Sequence, residues 1–217
     1  MNLREAVGVS EARLRLAVRA IRVLLVAISA YGLVTLDLAL AVNGVLPLLI
    51  SLVPAAVAWR YDHSMSVGLE LWVSVAAFLH AVGALGPYQF VPGYDTVTHT
   101  LTATLVAGVA YAVVVALDES SSAVRFPPEF RFLFILVFVL AFGVIWEIGE
   151  FAAGGAATLL GGDEILTQYG IHDTALDLVF DGVGGLIVAL WGTGHFRQVA
   201  TLFSESVAGA LGRREDG

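Results

Sequence analysis

The chain contains no cysteine and no lysine, and only 14% of its 217 residues are charged. Without cysteine, neither a disulfide framework nor a thiolate metal site can form. The charged fraction lies well below the roughly 25% of a soluble globular domain. The eleven basic residues are all arginines, and acids outnumber them to give a net charge of −8. Because these arginines are dispersed along the chain, we expect no nucleic-acid binding.

Apolar residues, by contrast, make up 58% of the chain, and the mean hydropathy is +0.85. Stretches of this length and apolarity predict transmembrane helices. We place six spans along the chain. The second ends near residues 59–61, and the other five cover about 18–40, 67–85, 94–116, 132–153 and 173–193. The sequence therefore predicts an all-α, multi-pass integral protein of the plasma membrane, folded as a single membrane domain over residues 1–217.

The segments that flank this six-span bundle (18–193) mix charged with apolar residues. Residues 1–17 and 194–217, the latter with a helix at about 196–211, are predicted to lie along the membrane interface as amphipathic segments. A cleavable signal peptide is the alternative for the N-terminus, but the apolar run continues to Leu36 without a clear cleavage site. The pair Asn43-Gly44 is predicted to form the turn between the first two spans.

The arginines predict an orientation. In the six-span arrangement all eleven fall on one side of the membrane, and cytoplasmic loops carry the excess of positive charge. Both termini are therefore predicted to be cytoplasmic. The N-terminal half of the sixth span then lies in the outer half of the bilayer.

Three aspartates mark that half of the sixth span. Asp173, Asp177 and Asp181 are four residues apart, so at about 100° per residue each advances only about 40° around a helix. They form one acidic stripe that runs into an apolar segment with no basic residue between them. Because stacked carboxylates repel each other and resist desolvation, the stripe predicts bound protons or a shared cation.

Other polar residues are predicted to reach the same level. Asp95 and His99 are four residues apart and Glu147 and Glu150 three apart, so each pair shares a helix face. His80, late in the third span, is placed at this depth too. Five glycines are predicted to let the backbones approach closely, at positions 143, 149, 182, 184 and 185.

Carboxylates with imidazole, and no sulfur, suit Mg²⁺, Mn²⁺, Ca²⁺ or a catalytic Zn²⁺. The predicted metal ligands are Asp95, His99, Glu147, Asp173, Asp177 and Asp181. Glu150 or His80 is the predicted general base. Trp146 is interpreted as a packing or interface residue. The competing interpretation is a solvated rim of acids in an outer vestibule, which Asp181 fits poorly because two helical turns separate it from Asp173.

Three functions remain open at this point. The first is a metal-dependent hydrolase or group-transfer enzyme acting on a lipid or lipid-linked substrate. The second is a cation or proton transporter or channel, and the third is a non-catalytic membrane subunit stabilised by metal. A conducting path needs polar groups that continue to the other face, whereas the sixth span is apolar from Gly182 to Trp191. That one-sidedness favours an enzyme, although a homo-oligomer could build a pore.

The polar motifs resemble a known family when they are taken together. They are Tyr94-Asp95-x-x-x-His99-Thr100, Trp146-Glu147-Ile148-x-Glu150-Phe151 and Asp173-Thr174-x-x-Asp177-Leu178-x-x-Asp181-x-x-Gly184. As a set they resemble the small multispan membrane proteins of the YjdF type and, more distantly, VanZ-like proteins. The resemblance covers about residues 60–193. It implies a helical membrane protein whose recurring polar residues are the ones named above.

Overall fold

The structure, a computed structural model, describes residues 10–61, 65–120, 125–160, 170–192, 196, 199–201 and 203–204. All regular structure in these ranges is helical, which confirms the predicted all-α class. The helices are α1 (Glu11–Thr35), α2 (Leu38–Tyr61), α3 (Val67–Ala84), α4 (Pro87–Phe90), α5 (Tyr94–Ser120), α6 (Pro128–Leu160) and α7 (Ile171–Ile187). A short π-helix, Val188–Gly192, extends α7.

Five of these helices, α1, α2, α3, α5 and α6, are long and apolar enough to cross a membrane, judged by length and composition. They correspond to the first five predicted spans. The sixth predicted span corresponds to α7, which has 17 residues, and to the five-residue π-helix after it. Three aspartates lie in α7, so its passage through the membrane stays a prediction.

The connection between the first two spans lies earlier than predicted. Helix α1 ends at Thr35 rather than near Leu40, and Leu36 adopts a left-handed conformation with φ 60° and ψ 24°. The carboxylate of Asp37 then accepts a hydrogen bond from the Leu40 backbone N–H at 2.9 Å. Asp37 therefore acts as the N-terminal cap of α2.

The predicted turn at Asn43-Gly44 is wrong, because both residues lie inside α2. The Asn43 side chain donates to the Ala39 carbonyl oxygen at 2.9 Å, which keeps it along the helix. Gly44 packs against α1, where a Cβ would lie only 2.6 Å from the Ser29 backbone nitrogen. Here the glycine serves close helix packing rather than a turn.

The two predicted interfacial segments have different outcomes. Helix α1 runs without a break from Glu11, so in the described part of the N-terminal segment no separate helix precedes the first span. The sequence offers neither glycine nor proline between Glu11 and Gly32 to interrupt it. Residues 1–9 lie outside the described residues. Most of the C-terminal segment does too, although 199–201 and 203–204 are helical.

The chain divides into two compact units, residues 1–94 with 157–165, and residues 95–156 with 166–217. The single membrane domain predicted for the whole chain stays a prediction. In the first unit α1, α2 and α3 pack against one another. Arg22 of α1 donates to the Ser51 carbonyl oxygen at 2.7 Å and lies 3.7 Å from the Glu70 carboxylate, so the charge of Arg22 is matched by an acid.

In the second unit α7 contacts both α5 and α6 through small residues. A Cβ on Gly184 would lie 2.6 Å from the Thr100 carbonyl oxygen and 2.7 Å from the Ala103 Cβ. Gly185 faces Val139, and a Cβ on Gly143 would collide with the Asp181 carboxylate. Close approach therefore occurs at three of the five predicted glycines. The prediction of close approach is wrong for the other two glycines, because Gly182 has only an ordinary contact with a leucine side chain and Gly149 faces open space.

Candidate metal centre

His99 of α5 lies between carboxylates that come from two helices. Its Nε2 is 3.6 Å from Asp95 Oδ1 and 4.0 Å from Asp177 Oδ1, and its Nδ1 is 3.6 Å from Asp181 Oδ1. His99, Asp177 and Asp181 are all buried, whereas the Asp95 side chain is 25% exposed. We call these four residues the His99 cluster. The two ring nitrogens of His99 face different acids.

The local sequence explains this convergence. Asp95 and His99 lie one turn apart on α5, and Asp177 and Asp181 lie one turn apart on α7, so each helix presents two polar groups on one face. The backbones approach at Gly184, one turn beyond Asp181. The structure thus brings together four of the six predicted metal ligands.

One ligand atom from each of Asp95, His99 and Asp177 lies within 4.8 Å of the other two. Three atoms so placed share a point no more than about 2.8 Å from each of them. Calcium–oxygen distances are about 2.3–2.6 Å, and those of zinc and magnesium are about 2.0–2.2 Å. Movement of less than about 1 Å would therefore bring the three atoms to coordination distance. The two separations from His99 Nε2, 3.6 and 4.0 Å, are longer than a hydrogen bond.

Asp181 lies on the far side of the imidazole ring from the point shared by Asp95, His99 and Asp177. It faces Nδ1, while Nε2 faces Asp95 and Asp177. A carboxylate beside one ring nitrogen favours the tautomer that places the proton there and leaves the other nitrogen as a metal donor. Asp181 is thus placed to orient His99 rather than to share its ligand position.

Glu147 of α6 is buried, at 6% exposure, and neither of its carboxylate oxygens has a hydrogen-bond partner. It interacts electrostatically with Asp95 and Asp177, yet it is not one of the three residues whose ligand atoms lie within 4.8 Å. A buried carboxylate without a partner is unfavourable unless it carries a proton or neighbours a cation. The structure therefore places Glu147 beside the triad and not in it.

The remaining acids lie at the margin of the cluster. Glu150 is half-buried and accepts a hydrogen bond from Trp146 Nε1 at 2.8 Å. Asp173 is half-buried in the first turn of α7 and interacts electrostatically with Asp95 and Asp177. The hydrogen bond from Trp146 to Glu150 was not predicted from the sequence. The four-residue spacing of Trp146 from Glu150 was the available signal.

His80 belongs to the first unit. Its Nδ1 lies 2.6 Å from the Tyr88 hydroxyl, and the Tyr88 ring meets the Tyr94 ring edge to face at 5.5 Å. Gly83 makes room for Tyr88, since a Cβ there would overlap the ring. The partner Tyr88 was not foreseen from the sequence, because the short helix α4 that carries it interrupts the link between two predicted spans. The role of His80 as a general base stays a prediction.

Comparison with known proteins supports the membrane assignment. A family model described as "Predicted membrane protein" matches residues 16–198, a range that includes the whole His99 cluster. No curated protein and no solved structure matches the chain.

Proposed function

The chain belongs to that family, DUF2238, and we propose that it binds a divalent cation at the His99 cluster. Asp95, His99 and Asp177 are the proposed ligands. The observation that supports this most is the arrangement around Nε2, which faces two carboxylates from different helices at 3.6 and 4.0 Å. The sequence has no arginine or lysine at 61–124 or 132–196 that could neutralise them. The buried, unpartnered carboxylate of Glu147 points the same way.

The chemistry we propose is metal-dependent hydrolysis or group transfer on a lipid or lipid-linked substrate. A bound divalent cation activates water and polarises a carbonyl or phosphoryl oxygen. Glu150 is the proposed general base, held by the indole N–H of Trp146 at 2.8 Å. Because the Asp95 side chain is 25% exposed, the site is open to a reactant. The kinship with YjdF-type and VanZ-like proteins belongs to the same proposal.

Metal analysis of the purified protein tests the cation site. We expect about one divalent ion per chain in the wild type and at least a tenfold loss in Asp177→Ala and His99→Ala. Asp118→Asn is the matched control, because it neutralises another aspartate of the same unit outside the cluster. Asp177→Asn, which preserves side-chain volume, guards against a loss caused by misfolding. Equal metal in wild type, Asp177→Asn and His99→Ala would overturn the proposal.

Ion transport is the alternative for the same acids. A pathway needs polar groups beyond Asp181, yet α7 is apolar from Gly182 to Ile187, and α6 is apolar from Phe132 to Ile145. Uptake of Mn²⁺ and of protons into proteoliposomes decides between the two functions. If uptake is saturable and Asp177→Asn abolishes it, the protein is a transporter and the proposed enzymatic function is wrong.

The location of the site in the outer half of the bilayer is part of the proposal and rests on the arginine distribution. The chain has no native cysteine, so single cysteines report sidedness cleanly. In intact cells an impermeant maleimide should label Gln89→Cys and spare Arg125→Cys, both of which are exposed. The reverse pattern would invert the orientation.

A further inference from the structure

A groove of about 310 Å³ lies beside the His99 cluster, between α6 and α7. A volume of this size is at the lower end of small-molecule sites. Its lining residues are Val144, Glu147, Ile148 and Phe151 of α6 and Thr174 and Leu178 of α7.

The wall that α6 contributes is apolar and exposed. Ile148 is 61% exposed, Phe151 71% and Val144 44%. These residues lie within the candidate membrane span 128–155, so we infer that lipid lies beside them. Along α6 the wall extends about 10 Å, at 1.5 Å per residue. A hydrocarbon chain fits such a surface, whereas a polar solute would lose its hydration without gaining hydrogen bonds.

The groove connects to the cluster through Glu147. Among the described residues that line the groove it is the one acid, and it interacts electrostatically with Asp95 and Asp177. A lipid whose chain lies along Ile148 and Phe151 therefore has its polar end at the proposed cation site. A divalent cation held by one or two carboxylates commonly completes its coordination with substrate phosphate oxygens.

We propose that this groove is a chain-binding subsite that receives one hydrocarbon chain of a membrane phospholipid, laterally from the bilayer, with the phosphate directed to the His99 cluster. The inference rests on the proposed function and adds the substrate class, a phospholipid, and the surface that selects it. Ile148 and Phe151 are its specificity-determining residues. They act by shape and apolarity.

A matched pair of substitutions tests the groove. Ile148→Trp fills it, whereas Ile145→Trp adds the same bulk to an isoleucine on the same helix that is 66% exposed and outside the lining. Each protein is reconstituted in vesicles of phosphatidylethanolamine and phosphatidylglycerol, extracted in mild detergent and weighed by native mass spectrometry. We expect about one retained phospholipid per chain in wild type and Ile145→Trp, and a reduction of about fivefold or more in Ile148→Trp.

A second filling variant, Val144→Trp, keeps the test decisive if Ile148→Trp does not fold. Metal content is measured on the same samples and should equal that of the wild type in every groove variant. Equal phospholipid retention in wild type, Ile145→Trp and the filling variants would overturn the proposed role of the groove without affecting the proposed cation site. Absence of metal from the wild type, with phospholipid still lost on filling, would remove the proposed function and keep a lipid site.

Discussion

The two ends of the second unit differ in the groups that lie beside their buried or half-buried acids. At the end that holds the α5–α6 connection, Asp118 of α5 pairs with Arg131 of α6 at 2.9 Å. Its second carboxylate oxygen accepts a hydrogen bond from the Phe126 backbone N–H at 2.7 Å. Both carboxylate oxygens of Asp118 therefore have a partner, one of them an arginine. The pair of Arg22 with Glu70 in the first unit also joins an acid to an arginine.

The other end has acids without arginine. His99 lies on the same helix as Asp118, roughly 28 Å away at 1.5 Å per residue. There Asp177 and Asp181 are buried at 4% and 7% exposure, and one imidazole is the basic group that the described residues provide. Arginine accompanies both Asp118 and Glu70 and is missing from the His99 cluster, a contrast that supports the proposal of a bound cation there.

Removal of divalent cations should have the largest effect and should act on one end alone. A site saturated at a hundred times its dissociation constant stabilises the folded state by about 3 kcal/mol. Added EDTA should therefore lower the melting temperature of the wild type and of Asp118→Asn in detergent. Asp177→Asn should not respond to EDTA. An equal response in wild type and Asp177→Asn would mean that the stabilising ion binds elsewhere.

Gly184→Ala should come next, because it separates the helices that form the cluster. The added Cβ meets the Thr100 carbonyl oxygen and the Ala103 side chain below 3 Å. Overpacking of this kind destabilises by about 1–3 kcal/mol. It should also weaken cation binding, since Asp177 and Asp181 move away from His99. Thermal unfolding and a Mn²⁺ titration measure the two effects.

Gly182→Ala is the control for that substitution, because its Cβ would have an ordinary contact at 3.8 Å. Alanine there should be neutral or slightly stabilising, given the higher helix propensity of alanine. If both glycine variants behave alike, close approach at Gly184 does not set the geometry of the cluster.

Asp181→Asn sharpens the division of roles inside the cluster. Loss of the carboxylate behind Nδ1 should lower cation affinity by about 10- to 100-fold, the usual effect of removing a group that orients a histidine ligand. Asp173→Asn, at the half-buried margin, should change the affinity by less than about threefold. Isothermal titration with Mn²⁺ compares the two variants. Equal losses would mean that total negative charge, and not the placement of Asp181, determines affinity.

Long apolar stretches were enough to predict the helical membrane class, and four-residue periodicity was enough to predict the shared faces of α5 and α7. Four-residue spacing puts Asp95 with His99 and Asp177 with Asp181 whatever the neighbouring helices do. The rotation of one helix against the next is a tertiary property, however. For that reason the spacing of Glu147 and Glu150 could not show that Glu147 lies beside the triad while Glu150 binds Trp146.

The misplaced first turn has a different cause. Asn43-Gly44 and Leu36-Asp37 both carry turn or capping residues, and local propensity alone does not choose between them. The position of the turn depends on Ser29, against whose backbone Gly44 packs. Ser29 precedes Gly44 by 15 residues in the sequence. A glycine that serves packing and one that serves a turn look the same in a single sequence.

Arg131→Gln should have a smaller effect than the substitutions in the His99 cluster, and it tests whether the two ends are independent. The substitution leaves Asp118, 12% exposed, without its cation, but Arg131 itself is 36% exposed, so solvent screens much of the pair. We expect a loss of about 1 kcal/mol in the free energy of unfolding. Arg125→Gln, on an exposed arginine of the same segment, should have less effect. Because sites far apart without shared partners are additive, Mn²⁺ affinity should be unchanged in both variants. A change in that affinity on Arg131→Gln would show that the arginine-paired end and the His99 cluster are coupled through α5 and α6.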